Sequence, residues 1–164
     1  MTGEGYQKCM DWTEKYIGIP FVRILVKLLT AITAICYGLT VLWLIIQRDI
    51  WVLRILVIPA VGFITVSFFR KWLSASRPYE VYAFTPLLEK DTKGNSFPSR
   101  HVFSNMIIAM AVLSVWTPAG FFLIICGILL AILRVITGVH FPKDVIAGAV
   151  LAAVLGVVGF FLFN

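Results

Sequence analysis

The chain has 164 residues, of which 60% are hydrophobic and 13% charged, and its formal net charge is +6. Soluble domains carry roughly 45–50% apolar and about 25% charged residues, so the composition excludes an ordinary soluble domain and leaves too few polar residues for a nucleic-acid-binding face. The basic balance then belongs to residues that meet anionic head groups or hold a phosphate.

Residues 1–18 come first and read as an amphipathic helix lying in the interface. Tyr6, Met10 and Ile17, with Cys9 and Trp12 beside them, recur at helical spacing among Lys8, Asp11, Glu14 and Lys15. No apolar core precedes Ile19, so no cleavable signal peptide is expected. A helix rises about 1.5 Å per residue, and about 20 apolar residues cross a bilayer core. Five runs approach that length: Val26–Ile46, Ile50–Phe69 with Pro59 inside it, Val102–Trp116, Ala119–Thr137 and Val145–Phe163. The expected fold class is therefore an all-α integral membrane helical bundle, with five transmembrane helices and the N-terminal amphipathic helix, as a single domain over 1–164. Cys9, Cys36 and Cys126 form no CxxC pair and read as small apolar residues.

The connections differ in length. Gln47–Asp49 and Thr117–Pro118 are tight turns, whereas 70–101 is a long polar stretch that includes Asp91, and long loops in compact proteins are often functional. Alternating spans put the N-terminus, the 70–101 region and the Gly138–Lys143 turn on one face of the membrane. Every group suited to chemistry falls there.

Three polar clusters carry those groups. In the first, FRKWLSASRP, Arg70 and Arg77 are two helical turns apart and share a face if the helix continues, with Lys71 beside them. Guanidiniums so placed suit a phosphate, because each offers several donors in a planar fork. In the second, SFPSRH, Ser96 reads as an N-cap and Pro98 as a first-turn residue; Ser99 adds a hydroxyl, and His101 projects from a helix start that favours anions. In the third, RVITGVHFPKD, Gly138 ends one span and Pro142 starts the next. His140 and Asp144 lie four residues apart, within hydrogen-bond reach, so the carboxylate can fix the ring tautomer. Arg134 sits about one turn inside its span, where a charge is costly and usually functional. Together the clusters supply an anion pocket with a nucleophile and an acid, without deciding which histidine plays which part. One carboxylate, no Cys cluster and two committed His argue against a catalytic metal.

The pattern resembles the type 2 phosphatidic acid phosphatase (PAP2) superfamily of membrane phosphatases, whose motifs run KxxxxxxRP, PSGH and SRxxxxxHxxxD. Here they read Arg70-x6-Arg77-Pro78, Pro98-Ser99-Arg100-His101 and Leu133-Arg134-x5-His140-x3-Asp144. Arg70 stands for the family Lys, Arg100 for the Gly and Leu133 for the Ser. The resemblance implies a cofactor-free, metal-independent hydrolysis of a lipid phosphate or pyrophosphate, of the phosphatidate, phosphatidylglycerophosphate or undecaprenyl pyrophosphate class. It implies that His140 attacks phosphorus and forms a phosphohistidine, that Asp144 orients it, and that His101 protonates the leaving oxygen and later activates water. Arg70, Lys71, Arg77, Ser99, Arg100 and Arg134 would hold the phosphoryl oxygens. The alternative is a protein that binds or moves a lipid phosphate without turnover, which the Arg100 departure keeps open. A small channel is disfavoured by spans that are apolar nearly all round. The expected location is the cell membrane. Lys8, Lys15, Arg23, Lys27, Lys90 and Lys93 share the site's face, against Arg48 and Arg54 opposite, which by charge puts the site inside. The resemblance to bacterial family members favours an outward-facing site, and that is the reading taken.

Overall fold

A computed structural model of the chain describes residues 1–88 and 93–162. Lys90, Asp91 and Phe163, used above in the charge balance, the loop and the last span, lie outside the described residues. Seven α-helices follow in order: α1 Gly3–Tyr16, α2 Ile19–Ile46, α3 Trp51–Leu73, α4 Pro78–Val81, α5 Arg100–Leu113, α6 Thr117–Ile136 and α7 Pro142–Gly156, the last continued by a π-helical stretch, Val157–Leu162. The described residues contain no strand. The all-α membrane bundle expected from the sequence is what forms.

Among the described residues, four segments are long and apolar enough to span a bilayer: Ile19–Ile46, Trp51–Val81, Thr117–Ile136 and Pro142–Leu162. The third expected span, Val102–Trp116, is instead the 14-residue α5, about 21 Å long and short of a hydrocarbon core of about 30 Å. Its position explains how a short helix is tolerated. α5 packs on α2, α3, α6 and α7, and Val102, Phe103, Ile107, Ala109, Ala111 and Val112 are buried. Protein rather than lipid surrounds it, so it need not match the bilayer. The long helices turn their remaining apolar side chains outward, among them Ile24, Ile35, Phe68, Ile125, Ile146 and Val154. The first span also begins earlier than the hydropathy suggested, because Pro20 fits the first turn of α2 and leads the helix in from Ile19.

α7 approaches the start of α5 closely. A Cβ at Gly148 would stand 2.7 Å from the carbonyl oxygen of Ser99, so only glycine admits this contact.

α1 is amphipathic, but its inner face is Tyr6, Met10 and Thr13, while Trp12 and Tyr16 are exposed. The sequence had suggested Tyr6, Met10 and Ile17 with Cys9 and Trp12 for the apolar face; Tyr6 and Met10 are buried and Ile17 packs half-buried against the Val22 cluster, but Trp12 turns out and Thr13 in. The difference has a physical reason: α1 clamps onto the protein. The Tyr6 ring lies 5.6 Å from Phe84 and 6.1 Å from Phe141, centroid to centroid. Its hydroxyl donates to the backbone carbonyl of His140 at 3.2 Å.

Candidate active site

The turn from α6 to α7 is tightly determined. Gly138 adopts φ +74°, a region where glycine carries no steric penalty. A Cβ there would also come within 2.6 Å of Phe84 Cε2. The N–H groups of Val139 and His140 then both donate to the Arg134 carbonyl, at 3.2 and 3.1 Å. Pro142 opens α7, and Asp144 Oδ2 accepts the Phe141 N–H at 3.0 Å. The carboxylate that caps this helix is thereby turned toward the His140 ring, 3.5 Å from Nδ1.

That separation is longer than a normal N–H···O bond, and a third residue fills in. Ser96 Oγ lies 3.3 Å from His140 Nδ1 and donates to Asp144 Oδ2 at 2.5 Å. A proton on Nδ1 therefore points to the Ser96 oxygen, whose own proton points to the carboxylate. All three side chains are fully buried. Ser96 is not the expected N-cap. α5 starts at Arg100 with Ser99 as its N-cap, which frees the Ser96 hydroxyl for the histidine. The sequence gives no local sign of this role, since its partners lie 44 and 48 residues on.

Burial holds the His140 pKa down at about 4 from its ordinary 6.5. The Asp144 hydrogen bond opposes this, and the nearby Arg77 and Arg134 charges reinforce it. The ring is neutral at pH 7. With Nδ1 engaged, the lone pair lies on Nε2, which is buried and has no hydrogen-bond partner among the described residues. Ser99 Oγ and Arg134 Nε are in the same condition.

The two arginines of the first cluster reach the site differently from the helical register expected. α3 stops at Leu73, and Ser74 is left-handed at φ 47°. Arg77 therefore lies outside α3, one residue before α4. Pro78 opens α4 rather than ending α3, and Glu80 in its first turn accepts the Arg77 N–H at 2.7 Å and the Gly94 N–H at 2.9 Å. The buried Arg77 guanidinium donates from Nε to the Gly94 carbonyl at 3.0 Å and from a terminal nitrogen to Val139 at 3.5 Å. It thus ties the first cluster to the loop before the second and to the third. Arg70, also buried, donates to the carbonyls of Asn95 and Pro98. Each guanidinium has five donors, and these bonds use only part of them.

A cavity of about 170 Å³ opens beside these groups, lined by Arg70, Lys71, Arg77, Asn95, Arg100 and His101 together with Ser67. His101 is half-buried in the first turn of α5, and Lys71 is exposed. Arg100 is exposed too, its guanidinium carbon 5.2 Å from the centre of the Phe63 ring. Ser99, Arg134, His140 and Asp144 form a buried layer and do not line the cavity itself. The structure so divides the expected site into a cationic cavity holding His101 and a buried histidine–serine–carboxylate group, with Arg77 bonded to the backbone beside His140. Tyr6 and Glu80 belong to this framework as well. Glu80 had a sequence sign, a carboxylate in the first turn after Pro78; Tyr6 had only its place on an amphipathic helix.

The PAP2 superfamily model matches residues 51–164, which hold all three clusters and exclude α1 and α2. Among solved structures, the chain is similar to LpxE from Aquifex aeolicus, with a TM-score of 0.64 and 24% identity over 83% of this chain and 85% of that one. It is also similar to a transmembrane PAP2-type phosphatidylglycerolphosphate phosphatase from Bacillus subtilis. There the TM-score is 0.56, with 24% identity over 82% of this chain and 74% of that one. At this identity the likeness establishes a shared fold. No curated protein matches the sequence.

Proposed function

The chain belongs to the PAP2 superfamily, and from that premise we propose that it is a membrane phosphatase that hydrolyses a lipid phosphate through a phosphohistidine. The observation that carries the reading is His140: neutral and buried, with Nδ1 engaged by Ser96 and Asp144 and Nε2 unpartnered, beside a cavity lined with cations.

In the proposed reaction Nε2 of His140 attacks phosphorus as the bond from phosphorus to the lipid oxygen breaks. His101 gives its proton to that oxygen, and the lipid alcohol leaves. Water then attacks the phosphohistidine, His101 takes the water proton, and inorganic phosphate departs with His140 neutral again. Asp144, through Ser96, steadies the positive charge that His140 carries in between. Arg70, Lys71, Arg77, Ser99, Arg100 and Arg134 are assigned to the phosphoryl oxygens, where charge spreads in the transition state. Each step is a displacement or proton transfer by residues of the chain, so the activity is proposed to be metal-independent. The site is proposed to face outward from the cell membrane.

The test is phosphate release from a panel of lipid phosphates and pyrophosphates in detergent with EDTA. Wild type should be active, and His140→Ala and His101→Ala should each abolish release while remaining folded. Full activity in either variant, or strict metal dependence, defeats the mechanism. Tight phosphate binding without release from any lipid would make the protein a binder.

A further inference from the structure

α1 has three faces, and the scheme above uses none of them. Tyr6, Met10 and Thr13 point inward. Glu4, Lys8, Asp11 and Lys15 recur at helical spacing as a second strip, and all are exposed. Cys9, Trp12 and Tyr16 recur at the same spacing as a third. In that strip Trp12 is 56% and Tyr16 65% exposed, and their rings lie 5.7 Å apart, centroid to centroid. Trp and Tyr turned outward suit the head-group level of a bilayer, where one edge of the ring is wet and the other apolar.

The connection to α2 fixes the height of this strip. The spanning helix begins at Ile19, and only Gly18 separates it from the Ile17 cap of α1. Tyr16 therefore stands at the membrane surface. Just inside the span α2 exposes Phe21 and Ile24, so lipid-facing surface follows directly on the aromatic strip. Charge does not draw α1 to an anionic surface, since Glu4, Asp11 and Glu14 outnumber Lys8 and Lys15. On its inner side α1 meets the turn that carries His140 at two points. The Tyr6 hydroxyl donates to the His140 carbonyl, and a Cβ at Gly138 would stand 3.0 Å from Met10 Sδ. α1 also lies outside the stretch that the PAP2 model matches.

Resting on the phosphatase reading, we propose that α1 couples the bilayer surface to the site: Trp12 and Tyr16 seat in the head-group layer, whatever the charge of its lipids, and this seating holds Tyr6 against the His140 turn. An unseated α1 loosens the turn, and the His140 ring loses its alignment with Ser96 and Asp144. The cations that hold phosphate lie on other elements, so the turnover rate falls while KM stays.

The experiment uses the full chain in nanodiscs, where both membrane faces are open. Trp43, Trp51, Trp72 and Trp116 are replaced by Phe, which leaves Trp12 as the fluorophore. Acyl-brominated phosphatidylcholine should quench Trp12 strongly, and should hardly quench the same chain with Trp12→Phe and Lys8→Trp. Activity is read on water-soluble para-nitrophenyl phosphate, so that lipid presentation plays no part. Trp12→Ser with Tyr16→Ser should lower kcat about fivefold at nearly unchanged KM, and Trp12→Phe with Tyr16→Phe should restore most of it. Lys8→Gln with Lys15→Gln, or added phosphatidylglycerol, should leave kcat where it was. In a Tyr6→Phe background the serine pair should have no further effect, because the link is already cut. Equal or absent quenching, a kcat unmoved by the serine pair, or full additivity with Tyr6→Phe would overturn the proposal. Doubled particle mass with Trp12 shielded from the bromolipid would give the strip to a second copy and overturn it too. No phosphate release from this substrate or from any lipid phosphate removes the phosphatase reading and the coupling with it, while the quenching still decides the seating.

Discussion

His140 and Asp144 could be paired from the sequence because four residues on one turn bring their side chains within reach. Ser96 could not, because the loop that carries it meets α7 only in the folded chain. Its hydroxyl stands between ring and carboxylate, so it acts as a positioning residue. Ser96→Ala is expected to lower kcat about tenfold with little change in KM, and Ser96→Thr, which keeps the hydroxyl, should recover part of the loss. Steady-state kinetics on a lipid phosphate checks both. The depressed pKa of His140 sets a pH dependence of known sign. Folded His140 titrates at about 4 against 6.5 when exposed, so between these values the unfolded chain binds more protons. Stability is full above about pH 6.5 and declines as pH falls toward 4. Thermal unfolding in detergent across that range should show a falling midpoint. The acid limb of kcat/KM should lie near pH 4 rather than near 6.5. A midpoint that rises on acidification would contradict the buried neutral ring.

At the scale of elements, helix placement was legible and helix ends were less so. Hydropathy located α2, α3, α6 and α7 because lipid-facing helices must be apolar along their length. The shared helical face of Arg70 and Arg77, conditional on the helix continuing, does not form, because the left-handed Ser74 stops α3 and is a serine, with no glycine or proline at that position to mark it. On the inner face of α1 the sequence pattern missed only Thr13, which can be buried because its hydroxyl donates to the Cys9 carbonyl at 2.7 Å, and wrongly placed Trp12. The Tyr6 hydroxyl bonded to the His140 carbonyl makes α1 a support for the turn that carries His140. Burial raises the pKa of this phenol, with Asp144 adding to the shift, so it stays a donor throughout the working range. Tyr6→Phe should cost about 1 kcal/mol of stability and lower kcat several-fold with KM nearly unchanged. Thermal unfolding alongside kinetics measures both effects, and an unaltered kcat would reduce α1 to packing alone.

Across the whole molecule, the all-α membrane character was readable because composition alone decides it. The central role of α5 was not. A short apolar run looks like an imperfect span until the four helices around it are seen. Arg48 and Arg54 lie at the end of the bundle opposite the site, at the α2–α3 turn. The outward orientation proposed here predicts that Lys93→Cys, in a chain with its three native cysteines replaced, reacts with a membrane-impermeant maleimide in intact cells. Labelling only after lysis would place the site inside. The long reach of one contact also bears on how the protein is made. Tyr6 and His140 are separated by 134 positions, so α1 emerges from the ribosome well before the turn it supports. It must wait at the membrane surface while α2 to α6 are made, and it can dock only after the α6–α7 turn has been delivered. The geometry around His140 is therefore completed late in biogenesis, and a chain released before α7 would carry its cations into the membrane without the carboxylate that faces His140.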